Sequence, residues 1–255
     1  MNTSTYKKAL LPLAGISAFV FIWQIVVWTG RWDQNLLPSP ADVCSALYEL
    51  AADGSLWQHI GISLYRFVCG YMLSVFTALP LGLMLGWWRP AQRFINPVIQ
   101  ILRPISPIAW FPFIVLWFGI GNAPAIAIIS IAGFFPIMLA CISSVSKIDP
   151  IYIKLADNFE LSRFQFFYKI ALPLAFPYIT VGLHIALGAA WIFLVAGEMV
   201  GAQSGLGYLI IDARNNIRND MVMAGIILIG SLGWLLDSAI RLLEGYVSKR
   251  WGGIS

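Results

Sequence analysis

Five stretches of this chain run without a single Lys, Arg, Asp or Glu: residues 9–30, 67–88, 104–146, 170–197 and 221–236. They hold 22, 22, 43, 28 and 16 residues respectively. A helix needs roughly 20 apolar residues to cross the hydrocarbon core of a bilayer. A soluble domain would carry about a quarter charged residues, and this chain carries 11%. The 43-residue run has room for two crossings and breaks at Gly119-Ile120-Gly121-Asn122-Ala123-Pro124. The last run reaches spanning length once Asp237 and Arg241, four apart and able to pair on one helix face, sit at the membrane edge. The expectation is an all-α membrane protein with six transmembrane helices.

Lys7 and Lys8 before an apolar run imitate a secretion signal, but the run is too long for an h-region and no A-x-A-like site follows. It is expected to be an uncleaved first span. Cys44, Cys69 and Cys141 form no C-x-x-C pair, which gives neither a disulfide framework nor a metal site. The net charge of +4 does not point to nucleic acid, because the basic residues are spread along the membrane flanks.

Lys and Arg in short loops favour the cytoplasmic side. With the N-terminus inside, the inner flanks hold twelve of the sixteen basic residues, and the outer flanks keep Arg31, Arg66, Arg214 and Arg218. Both termini are therefore expected in the cytoplasm. Outside, Ser39 suits an N-cap and Pro40 a first helical turn, with Val43, Leu47 and Leu50 as an apolar stripe on an interfacial helix. The outer stretch "VGAQSGLGYLIIDARNNIRND" reads as a loop or a short helix dipping toward the membrane.

Between two apolar runs, the 23 residues from Lys147 to Lys169 carry seven charges. Ile148, Ile151, Tyr152, Leu155 and Phe159 recur at helical spacing, and Ser162-Arg163-Phe164-Gln165 fits a capping box that opens a second helix. The segment reads as helix, corner at Leu161-Ser162, helix, with Phe164 and Phe167 beside the corner. Two readings stand open: a docking surface for another protein, or an interfacial helix on lipid.

Within the spans, His184, Trp191 and Glu198 are spaced by seven and share a face, since a helix drifts only about 20° per heptad; Thr180 lies one turn before. The stripe either bonds a neighbouring helix or lines a pathway. In "RPISPIAWFPF", Pro104, Pro107 and Pro112 each remove a backbone donor, so this span, Trp110 included, either packs with a kink or borders a wet cavity. Arg66 reads as a snorkelling anchor, and Gly82-x-x-x-Gly86 as close helix packing. No H-E-x-x-H occurs. A P-loop needs Gly-Lys-Ser/Thr, and none of the six lysines follows a glycine, so no ATP site is expected here.

The stretch "LSRFQFFYKIALPLAFPYITVGLHIALGAAW" resembles the cytoplasmic loop and following span of permease subunits from ATP-binding-cassette importers. "LRPISPIAWFPFIVLWFGIG", "AGEMVGAQSGLGYLIIDAR" and "LLPSPADV" are similar to the nitrate, sulfonate, taurine and bicarbonate branch of that family. The family's loop motif reads Glu-Ala-Ala with a Gly four residues on. Lys154-Leu155-Ala156 and Glu160 stand at those positions here. The resemblance implies a type I importer permease fold, with residues 1–58 as the first span and outer helix, 59–245 as the permease domain and 246–255 as a cytoplasmic tail. It also implies a coupling helix carried by Phe159, Glu160, Leu161, Ser162, Arg163, Phe164 and Phe167. The implied partners are a second copy of the permease, two ATPase subunits that hold ATP and Mg, and an external binding protein, all at a bacterial plasma membrane. The rival class is an ATP-independent secondary transporter or channel, which often carries inverted repeats; no repeat is evident.

Overall fold

The computed structural model describes residues 3–30 and 36–250, and their regular structure is helical throughout. Helix α1 (Thr3–Trp28) is followed by α2 (Pro40–Ala52) and α3 (Ser55–Trp87). At the start of α2, the Ser39 hydroxyl accepts from Asp42 N while the Asp42 carboxylate accepts from Ser39 N, a reciprocal cap with Pro40 in the first turn. Val43, Ala46 and Leu50 of α2 are buried against Leu56, Leu209 and Ala224, so the expected stripe is covered by the chain itself.

The core is built from three long helices: α3, α6 (Asn122–Ser146) and α9 (Leu172–Gly201). They approach closely because small residues line their seams. A Cβ at Gly70 would lie 2.6 Å from Ile129 Cβ, one at Gly82 2.6 Å from the Met138 carbonyl oxygen, and one at Gly86 2.9 Å from Val145 Cβ. Gly182 of α9 meets Ala140 in the same way. Apolar lipid supplies no hydrophobic drive between helices, so such close backbone contact is what holds spans together. Gly82 and Gly86 pack as their spacing predicts.

The region expected to form the third span departs from a simple crossing. Helix α4 (Arg89–Leu102) is followed by a short 3-10 turn (Pro107–Trp110) and α5 (Phe111–Phe118), bent by 83° against α4. Pro104 and Pro107 withhold backbone donors at the break, and Pro112 falls in the first turn of α5. Pro107–Phe118 at 1.5 Å per residue covers about 18 Å, short of the roughly 30 Å hydrocarbon core. Gly119 (φ +73°) and Gly121 (φ +142°) then turn the chain into α6. Among the described residues four helices are long and apolar enough to cross a membrane: α3, α6, the run Phe167–Gly201, and Asn219–Leu242 within α11 (Asn219–Arg250). The bent pair is a fifth candidate, and α1 contributes a shorter apolar stretch, Ala14–Trp28. The architecture is thus all-α and multi-pass.

The charged segment between α6 and α9 forms α7 (Pro150–Asn158) and α8 (Arg163–Phe166), joined to α9 by a π-helical turn at Phe167–Ala171. The segment between α9 and α11 forms a short helix, α10 (Leu206–Asn215), seated against both of them. Arg218 just beyond it reaches Glu49 of α2 and Asp220 of α11, each at 2.8 Å. These two carboxylates hold its proton more tightly than usual.

Candidate functional site

The expected coupling segment turns on Glu160. This residue occupies the left-handed region at φ +50°, and Leu161 N donates to Ala156 O at 3.0 Å. That six-to-one bond is a Schellman stop, whose left-handed position glycine fills best. The backbone thus keeps the turn that a glycine would favour, with Glu in its place. Beyond it, Ser162 N donates to Gln165 Oε1 at 3.0 Å and Gln165 N to Ser162 Oγ at 3.2 Å, the capping box read from sequence.

Two faces of the segment diverge. Ala156, Phe166 and Ala171 are buried together with Ile148 and Leu161 packed on them, and Phe166 and Phe167 meet the Trp87 ring at 5.5 and 6.2 Å. Phe167 therefore packs into its own chain. Ile151, Tyr152, Leu155 and Phe159 are exposed, Phe159 at 70%. The side chains of Arg163 and Phe164 lie outside the described residues.

At the opposite end of α3 and α9 lies a buried polar cluster. Arg66 is 2% exposed and Glu198 fully buried, with Arg66 Nη1 2.8 Å from Glu198 Oε1. Arg66 also donates from Nε to Asn122 Oδ1 at 2.9 Å, from Nη1 to Ser204 O at 2.6 Å and from Nη2 to Ser204 Oγ at 3.0 Å. Ser63 Oγ sits 2.8 and 2.9 Å from the two Glu198 oxygens and accepts from Leu206 N at 2.9 Å. Gly207 N donates to Glu198 Oε2 at 3.0 Å. Gly205 N donates to His59 Nδ1 at 3.0 Å, so that nitrogen is an unprotonated acceptor. Gly205 (φ +107°) is required twice over, because a Cβ there would collide with the Glu198 carboxylate.

Arg66 is therefore no snorkelling anchor. Its head turns inward because a carboxylate, an amide and a loop carbonyl converge there, and a buried charge needs such partners. Its partners Ser63, Asn122 and Ser204 went unread in the sequence. The legible signal was Ser63 three residues before Arg66, on one helix face.

The polar stripe on α9 is engaged within the chain. His184 Nδ1 lies 3.4 Å from Asp237 Oδ1, and Asp237 also pairs with Arg241 as the spacing predicted. Trp191 Nε1 donates to Ile229 O at 3.1 Å, and its ring meets Phe67 edge-on at 5.3 Å. The Thr180 hydroxyl donates to Pro177 O at 2.8 Å. Trp110 lines a cavity of about 540 Å³ with Leu102, Ile131 and Phe135. A second cavity, of about 490 Å³, shares Ile131 and Phe135 and reaches Arg103, Pro136 and Gly182.

The helical order and the packed α3–α6–α9 core define an all-α, multi-pass membrane fold. In fold the chain resembles the MetNI methionine ABC transporter in its inward-facing conformations, with a TM-score of 0.58 at 18% identity over 73% of this chain and 95% of that one. Residues 78–252 match the family described as "binding-protein-dependent transport system inner membrane component", and the chain belongs to that family. It is 34% identical to a putative aliphatic sulfonates transport permease protein, SsuC, of Bacillus subtilis, over 95% of this chain and 87% of that protein. It is 31% identical to the taurine transport system permease protein TauC of Escherichia coli, over 97% and 91%. Identity to the bicarbonate transport system permease protein CmpB of Synechococcus elongatus is 33%, over 94% and 90%.

Proposed function

We propose that this chain is the permease of an importer for a small anion of the sulfonate, taurine, nitrate or bicarbonate class. Two copies form the path, each crossing the bacterial plasma membrane six times with both termini in the cytoplasm. Two ATPase subunits dock below, and an external binding protein delivers the solute from outside. The chain's likeness to sulfonate, taurine and bicarbonate transport permeases supports the substrate class.

One observation carries the docking assignment. The α7–α8 corner anchors one face in its own chain through Phe166 and leaves Ile151, Tyr152, Leu155 and Phe159 uncovered. An anchored corner with an apolar outer stripe beside charges suits insertion into a groove on another protein. Phe159, Glu160, Leu161, Ser162, Arg163, Phe164 and Phe167 form or support that corner. An interface anchor truncated to Ala can cost more than about 2 kcal/mol. Phe159→Ala, Phe164→Ala and Glu160→Lys are expected to leave the permease inserted while lowering both ATPase co-purification and uptake by reconstituted vesicles. Full ATPase retention and normal uptake in all three would defeat the docking assignment. Reporters fused after Lys147 and near Asn215 test the topology, and are expected on opposite sides of the membrane.

A further inference from the structure

We propose that the polar face of α4 is an electropositive lane for the transported anion, running from a mid-membrane cavity at Arg103 to the cytoplasm at Arg89. The proposal rests on the anion-importer reading above and adds the residues that attract the solute.

At 3.6 residues per turn, Arg89, Arg93, Asn96, Gln100 and Arg103 fall within an arc of about 80°. No Asp or Glu occurs from Arg89 to Arg103. Ala91, Ile95 and Ile99 pack on the core from another side of the helix. The three arginines make no ion pair and no side-chain hydrogen bond among the described residues, whereas Arg66, Arg218 and Arg241 are each paired with a carboxylate.

Depth makes these unpaired charges informative. Arg89 and Arg93 border a cavity of about 350 Å³ with Ser146, the last residue of α6. Arg103 borders the cavity of about 490 Å³ with Pro136 and Ala140 of α6 and Gly182 of α9. Pro136 lies ten residues before the end of α6, and Gly182 ten residues after the start of α9. At 1.5 Å per residue that places the Arg103 cavity roughly 15 Å from the Ser146 end of α6 and the Leu172 end of α9, deeper than the inner-flank position expected of Arg103 from the charge-free runs. An ionised side chain at such depth is costly against lipid and belongs in a protein-lined or wet cavity.

The chemistry fits an oxyanion. A guanidinium presents a planar fork that matches carboxylate-like and phosphate-like oxygens. The remaining cavity wall is mostly apolar, with Ile131, Phe135, Val181 and Ile185. Low-dielectric walls focus the field of a single charge and raise local anion concentration. Three positive charges in series let an anion step between sites that each bind loosely enough to release it.

Cysteine labelling in reconstituted permease–ATPase vesicles tests the lane. With the native cysteines changed to Ser, Gln100→Cys is placed on the polar face and Val98→Cys on the exposed apolar face. Each is treated with anionic 2-sulfonatoethyl methanethiosulfonate and with cationic 2-(trimethylammonio)ethyl methanethiosulfonate, with rates normalised to a free thiol. Gln100→Cys is expected to favour the anionic reagent by roughly tenfold or more. Arg103→Gln in that background should abolish the preference, and Arg103→Lys should retain most of it. Taurine and methanesulfonate uptake should fall in Arg103→Gln with ATPase co-purification unchanged. Labelling of Gln100→Cys without charge preference, or no faster than Val98→Cys, would overturn the lane and leave the face against lipid headgroups. Failure of the wild-type complex, supplied with its external binding protein, to take up taurine, methanesulfonate, nitrate or bicarbonate would instead overturn the anion reading, which the labelling does not depend on.

Discussion

Leu161 N donates to Ala156 O across 3.0 Å, and the residue held inside that bond, Glu160, is left-handed at φ +50°. A residue with a Cβ pays roughly 1–2 kcal/mol for that region. Glu160→Gly is therefore expected to stabilise the detergent-solubilised permease by about 1 kcal/mol, read as a raised unfolding midpoint. The same substitution separates the turn's shape from the carboxylate's charge. If uptake falls while stability rises, the charge contributes to ATPase docking.

Arg66 and Arg218 offer a second comparison, since the same side chain sits in two environments. Breaking a buried pair leaves an uncompensated charge and costs about 3–5 kcal/mol. An exposed pair contributes about 0–1 kcal/mol. Arg66 is 2% exposed at its side chain and Arg218 41%. Arg66→Met and Glu198→Leu are each expected to unfold or mis-assemble the chain, with much of the loss recovered in the double variant. Arg218→Ala should cost no more than about 1 kcal/mol and should be masked by salt. Equal losses at both arginines would contradict this account.

Glycines of α3 should divide in the same manner. A Cβ at Gly82 would lie 2.6 Å from the Met138 carbonyl, which belongs to backbone and cannot step aside, whereas Gly61 has open space around it. Gly82→Ala is expected to lower the thermal midpoint by forcing α3 and α6 apart. Gly61→Ala should leave it unchanged or raise it, because Ala is favoured over Gly in a helix by about 1 kcal/mol.

Trp191 supports a fourth test. Its indole donates to Ile229 O across the α9–α11 contact. Trp191→Phe keeps the ring against Phe67 and removes one donor from a carbonyl that keeps its place in the α11 hydrogen-bond ladder, at an expected cost of about 0.5–1.5 kcal/mol. Thermal unfolding of the variant reads it directly, and a neutral result would mean water replaces the indole.

Much of this fold is legible because membrane crossing writes itself in charge-free runs, and α3, α6 and α9 follow those runs closely. The caps were equally readable, since Ser39-Pro40 and Ser162 to Gln165 are local devices of backbone chemistry. The bent third segment was not, because prolines announce a break without giving its angle. The buried cluster was harder still. Arg66 at the end of an apolar run has the same sequence signature whether it reaches outward or inward. Only the arrival of Glu198 and the Ser204 carbonyl from distant parts of the chain decides. His184 and Trp191 could be placed on one face from spacing alone, but spacing does not say which helix that face meets.

The Arg66–Glu198 pair also has a temporal side. The partners are 132 positions apart, so α3 is synthesised and inserted long before the carboxylate that neutralises it exists. During that interval α3 carries a cation whose carboxylate partner has not yet been made, and a charge of that kind is costly within a bilayer. Completion of α9 ends the wait by bringing the counter-charge.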